Sequence, residues 1–397
     1  MGTSKSKRVF SCLTCKLRDS EEVLSPKMEP YGNGAKGILI IGESPSSVDD
    51  RKNMPWQGKM GRLLETTLKK VGIDLFEDCT CTSAVNCRPP KNRTPKPFEI
   101  DCCREVMVKD LIKEMQPQVI LLLGTCALQS FLSPRWPVNL GGITKWRGFQ
   151  IPDQQHKAWV IPTFHPSYVE RMDSREVNTV WEQDLALIVH ALRMKIPDHS
   201  EPDVIILEDL APLEALHKAS EIAIDYETTG LKPQAKGHRI ICAGIAANDE
   251  EVYAFMMPST KAERKPFMDL LTDEELGKMA HNAKYEHNWT LVRYGVEVLN
   301  WQWDSMLAAH QLDNRTGITN LKFQTYMNFG KIIKDEDVSK FIYEKDGSGN
   351  GFNKIFELIE TPEGVAKLLR HVALDAYYEF KLAQIQMDKL NYQNLPF

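Results

Sequence analysis

The sequence contains no long run of apolar residues and no secretory signal at its start. Apolar runs such as 38–41 and 119–123 are short, whereas a membrane-spanning helix needs about 20 apolar residues. The first ten residues are polar and basic, without the apolar stretch that a signal peptide requires. These absences predict a protein that does not span a membrane. They also predict a reducing cytoplasm, where disulfides are rare.

The chain also has little net charge, −5 from 49 Lys and Arg against 54 Asp and Glu. Residues 1–200 hold 28 basic and 23 acidic residues, and the remainder holds 21 and 31. A basic first half is compatible with phosphate contacts, and an acidic second half is compatible with a carboxylate metal site. With 42% apolar and 26% charged residues, neither a disordered chain nor a coiled-coil rod fits.

A length of 397 residues predicts two domains. Residues 194–203 carry two prolines and many turn formers without apolar periodicity, so we expect domains at 1–195 and 204–397 with a linker at 196–203. In the first half apolar runs alternate with amphipathic stretches, which predicts an α/β domain with a largely parallel sheet. The predicted strands are 37–42, 119–124, 159–162, 222–225, 239–247 and 251–256, and the predicted helices are 61–71, 101–115 and 177–194. From residue 273 onward the chain is expected to be mainly helical.

Nine cysteines in a reducing compartment need an explanation other than disulfides. Cys12 and Cys15 form a Cys-x-x-Cys pair, and Cys87 and Cys103 lie far downstream. Four thiolates can hold an iron-sulfur cluster or a tetrahedral zinc ion, while a Cys-x-x-Cys pair alone can also be redox-active or accidental. The remaining cysteines are competing ligands or apolar core residues: Cys79, Cys81 and Cys102 in the first group, and Cys126 and Cys242 in the second.

Residues 8 to about 192 resemble the iron-sulfur uracil-DNA glycosylases of family 4. The resemblance rests on residues 42–46 (GESPS), 55–64 (PWQGKMGRLL), 87–95 (CRPPKNRTP) and 165–168 (HPSY). It implies a three-layer α/β/α fold with a parallel sheet. It also implies a structural 4Fe-4S cluster, with the ligands Cys12, Cys15, Cys87 and Cys103.

This resemblance implies a pocket that accepts a uracil flipped out of DNA. Trp56 would stack on the base, and His165 would donate a hydrogen bond to the base oxygen on which negative charge develops. Glu43 and Asp49, with Asp50 beside them, lie on the loop that would face the scissile bond and position water.

Three positions in this half depart from the family pattern. Ser44 and Ser46 stand where the family has Ala and Gly, in a loop whose backbone would approach the DNA. Ser83 stands where the family has the Asn that reads the uracil edge, and a hydroxyl lacks the paired donor and acceptor of an amide. The alternative to a glycosylase is therefore a catalytically silent DNA-binding or uracil-sensing module.

In the second half, an apolar strand ends in Asp225-Tyr226-Glu227. Period-2 alternation places Asp225 and Glu227 on one face, where both can reach a divalent cation. Later acidic segments add Glu286, Asp304 and Asp375. Such carboxylates can hold two metal ions for phosphodiester hydrolysis, and their hard oxygen atoms favour Mg or Mn over zinc.

Residues 204–388 resemble the proofreading 3′-to-5′ exonuclease domain of DNA polymerase I, in the DEDD superfamily, which implies a ribonuclease H-like α/β fold. The resemblance implies the metal ligands Asp225, Glu227, Glu286 and Asp375, although Glu286 stands where the family has Asp. His371 stands where this subgroup has Tyr.

His371 would orient or deprotonate the attacking water. The alternative is a helix-surface residue without a role. Asn282 is expected to contact DNA or to support the site, and Asp304 to lie behind the ligands.

Together the two resemblances imply a replication or repair protein similar to the N-terminal part of a bacteriophage family A DNA polymerase. Its expected partners are DNA, as uracil-containing single strands or 3′ ends, and a polymerase domain or subunit.

Overall fold

The computed structural model describes residues 10–136, 139–332, 336–348 and 351–390. They divide into two compact units. The first runs to His199 and includes Tyr326–Ile332, and the second contains Ser200–Thr325 and continues from Ile333. The division at His199 falls inside the predicted linker, but the inclusion of Tyr326–Ile332 in the first unit was not expected. In the part of the chain that the structure describes, no helix is both long and apolar enough to cross a bilayer.

The first unit is built on a five-stranded sheet with the order β2-β1-β3-β5-β4, in which only β4 is antiparallel to its neighbour. Residues of the central strands β1 and β3 are buried throughout because helices cover both faces, as continuous apolar runs predict. The strands are β1 (Ile38–Gly42), β2 (Cys79–Ser83), β3 (Val119–Leu123), β4 (Ile151–Asp153) and β5 (Ala158–Thr163).

Helices of the first unit pack amphipathic faces on this sheet. In the helix Lys59–Lys70 the buried residues Gly61, Leu64 and Leu68 recur at helical spacing. The helices are α1 (Cys12–Cys15), α2 (Ser47–Lys52), α3 (Lys59–Lys70), α4 (Pro97–Cys103), α5 (Lys109–Met115), α6 (Thr125–Leu132), α7 (Ile143–Trp146), α8 (Pro166–Met172) and α9 (Arg175–Arg193).

The predicted helix 101–115 is not one regular helix. A π-helical turn, Arg104–Val108, separates α4 from α5 directly after Cys103. Such turns insert an extra residue and are frequent at functional sites, and apolar periodicity alone does not reveal them. Here the turn follows a predicted cluster ligand.

The second unit contains a six-stranded sheet with the order β11-β10-β7-β8-β9-β6. Only β8 runs antiparallel to its neighbours β7 and β9. The strands are β6 (Asp203–Ile206), β7 (Glu221–Thr228), β8 (Ile240–Ala246), β9 (Glu251–Met256), β10 (Gly277–Ala280) and β11 (Trp301–Asp304). The predicted fold class, two α/β domains, is confirmed. However, β10 and β11 interrupt the region expected to be mainly helical.

A long C-terminal helix crosses this sheet and carries His371 and Asp375. Thr361 caps its N-terminus through the Gly364 N–H, and Pro362 occupies its first position. The helices are α10 (Lys261–Thr272), α11 (Ala283–Tyr294), α12 (Ser305–Leu312), α13 (Leu321–Phe329, whose last four residues belong to the first unit), α14 (Glu336–Tyr343), α15 (Ile355–Leu358) and α16 (Pro362–Lys389).

Gly244 allows α16 to lie directly on the sheet. A Cβ atom at this β8 position would lie 2.3 Å from the Val372 carbonyl oxygen of α16. In the sheet register Gly244 pairs with Asp225 of β7. The missing side chain therefore brings the helix that carries His371 and Asp375 close to the strand that carries Asp225.

We expect Gly244→Ala to lower the free energy of unfolding by about 1–3 kcal/mol, because the added methyl group overlaps the α16 backbone. Urea denaturation measures this change. The matched control is Gly142→Ala, because a Cβ atom at Gly142 meets nothing within 4 Å and should change stability by no more than about 0.5 kcal/mol. Equal stability of the two variants would contradict the close packing of α16.

Candidate active sites

The first candidate site is a pocket at the carboxyl edge of the first sheet. Parallel strands end at one edge, so the segments that follow β1, β2 and β5 meet there. The pocket brings together five of the predicted residues: Ser44, Asp49, Trp56, Ser83 and His165.

Asp49 holds the loop that follows β1. Its Oδ2 atom accepts the Ser46 N–H at 2.8 Å and its Oδ1 atom accepts the Gln57 N–H at 2.6 Å. Ser46 in turn caps α2, which completes a capping box. The neighbouring Asp50 accepts the N–H groups of Leu24 and Ser25 instead. Asp49 therefore lines the pocket while it fixes the shape of the loop.

Trp56 lies over the end of β1 with its backbone in the left-handed region, at φ 61°. A Cβ atom on Gly42 would lie 2.7 Å from the indole ring, and one on Gly61 would lie 1.7 Å from the Trp56 carbonyl oxygen. These two glycines make room for the residue. The centroid of the indole lies 5.6 Å from that of the His165 ring, and its buried Nε1 atom has no hydrogen-bond partner within the described structure.

His165 follows β5 and caps α8 with its own side chain. Its Nδ1 atom accepts the Ser167 N–H at 3.1 Å and lies 2.7 Å from the Ser167 hydroxyl oxygen. Because Nδ1 accepts from a backbone N–H, the proton of the neutral ring is on Nε2. Burial lowers the pKa of His165 to about 4, so the ring is neutral at physiological pH.

Ser83 is the last residue of β2 and lies at the pocket. Asn86 holds it in place, although no sequence motif indicates a role for Asn86. The Asn86 Oδ1 atom accepts the Ser83 N–H at 3.3 Å, and its Nδ2 atom donates to the Ser83 carbonyl at 3.1 Å. The backbone N–H of Asn86 donates to the Cys103 sulfur at 3.5 Å. The buried residue Asn86 thus connects the pocket wall, through its side chain, to the cysteines, through its backbone. In the sequence, only its position three residues after Ser83 could have indicated this role.

The predicted catalytic residue Glu43 is not among the residues that line the pocket. Its carboxylate accepts a hydrogen bond from Cys126, and Arg171 is the nearby charge. Burial raises the pKa of Glu43 above its ordinary value, against the effect of these two groups. A catalytic role for Glu43 stays a prediction.

A second cavity in this unit is walled by sulfur atoms. It brings together the four predicted ligands Cys12, Cys15, Cys87 and Cys103, with Cys102 as a fifth thiol. Burial raises the pKa of Cys15 to about 11 and that of Cys103 to about 12, and neighbouring thiols add to both shifts. Crowded, buried thiols ionise readily only when a metal neutralises them.

The spacing of these sulfur atoms is wider than one zinc ion requires. Four thiolates at about 2.3 Å from a zinc ion lie roughly 3.8 Å from one another. No three cysteine sulfurs of the described chain lie within 4.8 Å of one another. The Lys27 N–H, 3.2 Å from the Cys87 sulfur, and the Asn86 N–H provide donors to two of the thiolates. The cavity therefore offers several thiols, two of them with backbone donors, at a spacing wider than one tetrahedral ion needs.

In the second unit, the predicted carboxylates gather at β7. Asp225 and Glu227 on β7 and Asp375 on α16 line one groove. Glu286, on α11, is buried, and its Oε2 atom has no hydrogen-bond partner in the described part of the chain. A buried carboxylate oxygen without a donor favours a nearby cation, so this cluster fits divalent metal binding.

The charges of this cluster strongly perturb one another. Burial raises the pKa of Asp225 well above its ordinary value, and Asp375, Glu227 and Glu286 add to the shift. The same cause, reinforced by neighbouring carboxylates, raises the pKa of Glu286. Without cations the cluster therefore retains protons that metal ions would displace.

His371 lies among these carboxylates and is not a helix-surface residue, because only 5% of it is exposed. Its Nε2 atom lies 3.1 Å from the Glu227 Oε1 atom and 3.6 Å from the Asp375 Oδ2 atom. Burial alone would lower the pKa of His371, but Asp375 and Glu227 outweigh it and raise this pKa to about 9.

Glu379 is a buried carboxylate that the motifs did not indicate. It lies one turn after Asp375 on α16 and accepts a hydrogen bond from Ser305, whose hydroxyl also contacts the His281 Nδ1 atom at 2.7 Å. Burial raises the pKa of Glu379 to about 8. No signal pointed to it, because an acidic residue at this spacing is common on exposed helices.

Asp304 and Asn282 support the site from outside the groove. Asp304 accepts the N–H groups of Asn282 and Ala283 at 3.2 and 3.0 Å, and it also caps α12. Asn282 itself takes a left-handed conformation, at φ 82°, and does not line the groove. A supporting role fits both residues better than DNA contact.

The groove around the carboxylates carries exposed apolar and basic side chains. Leu231 is 83% exposed and Tyr343 is 70% exposed, and both line the groove. Lys322 and Lys345 lie along it. An aromatic side chain and lysines beside a carboxylate site suit a single nucleic acid strand, through stacking and phosphate contacts.

Two family models match this chain. Residues 29–187 match the uracil DNA glycosylase superfamily, and residues 206–390 match the 3′-5′ exonuclease family. The type-4 uracil-DNA glycosylase of Thermotoga maritima is 36% identical over 180 residues, which cover 45% of this chain and 88% of that protein.

A DNA polymerase of Bacillus phage SP01 is 26% identical over 333 residues, which cover 75% of this chain. The chain spans 35% of the length of that polymerase. Among solved structures, Brucella melitensis NrnC with bound Mg²⁺ has a TM-score of 0.34 and 17% identity, over 48% of this chain and 81% of that one.

Proposed function

This chain belongs to the uracil DNA glycosylase superfamily and carries a 3′-5′ exonuclease domain, and we propose that it is a DNA-processing enzyme with two active sites. The first removes uracil from DNA, and the second degrades a DNA strand from its 3′ end with divalent metal ions. The observation that carries the proposal is the pocket that joins Ser44, Asp49, Trp56, Ser83 and His165.

In the first site His165 stabilises the departing base. As the bond between base and sugar breaks, negative charge develops on a base oxygen. The neutral ring of His165 holds its proton on Nε2 because Nδ1 accepts the Ser167 N–H. This fixed donor stabilises the anion without a proton transfer.

The other pocket residues hold the flipped base and the sugar. Trp56 offers a large aromatic face for stacking. The Ser83 hydroxyl, on a backbone fixed by Asn86, offers one hydrogen bond to the edge of the base. Asp49 places a negative charge on the pocket wall, where it favours positive charge on the sugar and can orient water.

A second candidate function is a catalytically silent module that binds DNA or senses uracil without breaking the bond between base and sugar. The observation that favours it is Ser83, because a hydroxyl replaces the two-sided contact that an amide would make with uracil. The same pocket would then bind a base and leave catalysis to the second site.

The cysteine cavity supports a structural 4Fe-4S cluster in the first unit. Cys12, Cys15, Cys87 and Cys103 would hold it, since all four line one cavity. Because Cys87 and Cys103 receive backbone N–H donors, the surrounding loops are shaped around their sulfur atoms. The cluster would hold the loop that leads from Ser83.

In the second site Asp225, Glu227, Glu286 and Asp375 would hold divalent ions, Mg or Mn. Two such ions supply an activated water and stabilise the leaving oxygen of the phosphodiester. Stacking on Tyr343 and phosphate contacts of the groove lysines would orient the 3′ end.

The match to a phage DNA polymerase over 75% of this chain supports a role beside a polymerase activity, in the same chain or in a partner. Its substrates would be uracil-containing single strands and 3′ ends in a bacterial or phage-infected cell. An exonuclease beside a polymerase removes misincorporated nucleotides, and the glycosylase pocket would act on uracil in the same DNA.

We expect the chain to release uracil from single-stranded DNA in EDTA, which silences the exonuclease. His165→Ala should slow release at least about 100-fold, because it removes the donor to the leaving base. Since the pKa of His165 is about 4, the rate should stay constant as His165 stays neutral between about pH 5.5 and 8. Single-turnover assays measure both effects.

The matched control is His190→Ala, because His190 is an exposed residue of α9. A rate that changes with a midpoint near the ordinary histidine pKa, about 6.5, would contradict the neutral donor. Uracil-DNA binding without an abasic product would support the silent module instead.

Asp225→Ala should abolish degradation of a labelled 3′ end, because it removes a metal ligand from the centre of the carboxylate cluster. Uracil release should be unchanged in this variant. Gel analysis of both reactions makes the comparison, and Asp388→Ala, which alters an exposed residue of α16, serves as the control. Loss of both activities in Asp225→Ala would contradict two independent sites.

Purified protein should be brown and contain about four irons and four labile sulfides per chain. Cys103→Ser should lose most of this iron, whereas Cys102→Ser and Cys242→Ser should retain it. Metal analysis and visible absorption measure the outcome. A colourless protein with one zinc ion per chain, or iron lost with Cys102 but not with Cys103, would refute the ligand set.

A further inference from the structure

One nitrogen atom lies among the carboxylate oxygens of the second site. The His371 Nε2 atom, the Glu227 carboxylate and the Asp375 carboxylate form a set whose ligand atoms all lie within 4.8 Å of one another. In the described chain this is the one such set of three His, Cys, Asp or Glu side chains. The exonuclease resemblance implies that the carboxylates bind metal and that His371 acts on the attacking water.

The spacing of these atoms suits ligands of a single ion. Donor atoms at about 2.1 Å from an ion lie roughly 3.0 Å apart at a right angle and 3.4 Å apart at a tetrahedral angle. The Nε2 atom of His371 lies 3.1 Å from the Glu227 carboxylate and 3.6 Å from the Asp375 carboxylate. The three side chains are thus placed as neighbouring ligands without a change in the backbone.

The backbone holds the histidine in this place. His371 and Asp375 are separated by one turn of α16, so both project from the same face of the helix. Val372, next to His371, packs its carbonyl against Gly244 of β8, which fixes this turn of the helix on the sheet. The imidazole is therefore held with its Nε2 atom beside the Glu227 and Asp375 carboxylates.

We propose that His371 is a metal ligand and that its nitrogen makes this site select a transition-metal ion such as Mn²⁺ over Mg²⁺. Imidazole is a favourable ligand for first-row transition metals, whereas Mg²⁺ prefers oxygen ligands and water. The proposal rests on the proposed exonuclease function and deepens it, because it names the ion that the site takes.

The test uses the full chain with Mn²⁺ and Mg²⁺ as probes. Pulsed electron paramagnetic resonance of bound Mn²⁺ should show coupling to a ¹⁴N nucleus, and His371→Tyr, which replaces the ring nitrogen by a phenol, should abolish it. In equilibrium titrations His371→Tyr should weaken Mn²⁺ binding by about tenfold and change Mg²⁺ binding by less than about threefold, because only the nitrogen ligand is lost.

The matched control is His310→Tyr, which alters an exposed histidine of α12 and should retain the ¹⁴N coupling. Circular dichroism checks folding, and if His371→Tyr fails to fold, His371→Gln takes its place with the same expected loss of coupling. Bound Mn²⁺ without ¹⁴N coupling in the unaltered chain, or coupling that persists without His371, would overturn the proposal and return His371 to the role of a base.

The experiments distinguish failure of the exonuclease function from failure of the assignment of His371 as a metal ligand. A chain that degrades 3′ ends but shows no nitrogen coupling keeps the exonuclease and loses the ligand assignment. A chain that binds Mn²⁺ through nitrogen but degrades no 3′ end with either ion loses the exonuclease, while the ligand assignment stands.

Discussion

The free-energy cost of burying ionisable groups of one kind side by side governs the cysteine cavity of the first unit and the carboxylate cluster of the second. In the first unit five thiols wall one cavity, and in the second unit carboxylates from β7, α11 and α16 crowd around Asp225. Each set is unfavourable in its charged form unless a cation is present. The surrounding fold tolerates this cost because large apolar cores lie on both sheets. The two units therefore meet the same electrostatic cost with groups of different softness, sulfur in one and oxygen in the other.

Much of this could be predicted from the sequence, because the relevant signals are local. Apolar runs mark the central strands, and Asp225 and Glu227 follow one of them at a spacing that places both on one face. Short motifs, in which neighbouring residues constrain one another, indicate the candidate cysteine ligands and the pocket residues. The pocket then gathers Trp56, Ser83 and His165 because parallel strands end at one edge.

Residues that act through tertiary contacts were not predictable in this way. Asn86 and Glu379 also make contacts with segments distant in the sequence, at Cys103 and Ser305, which no local pattern indicates. The strand Gly277–Ala280 is not predictable from the apolar pattern, because it is short and contains Lys278. This buried lysine donates a hydrogen bond from its amino group to the Asp273 carbonyl oxygen. The π-helical turn after Cys103 changes the helix register without changing the apolar pattern.

Asn86 lies between the pocket wall at Ser83 and the wall of the cysteine cavity at Cys87, which are only four residues apart on the chain. Its side chain holds Ser83 on both sides, its backbone N–H meets the Cys103 sulfur, and the next residue is Cys87. The wall of the pocket and the wall of the cysteine cavity are thus one short piece of polypeptide. A substitution at Ser83 that alters the pocket must therefore keep a hydrogen-bonding residue at position 86, or it will also disturb the cysteine cavity.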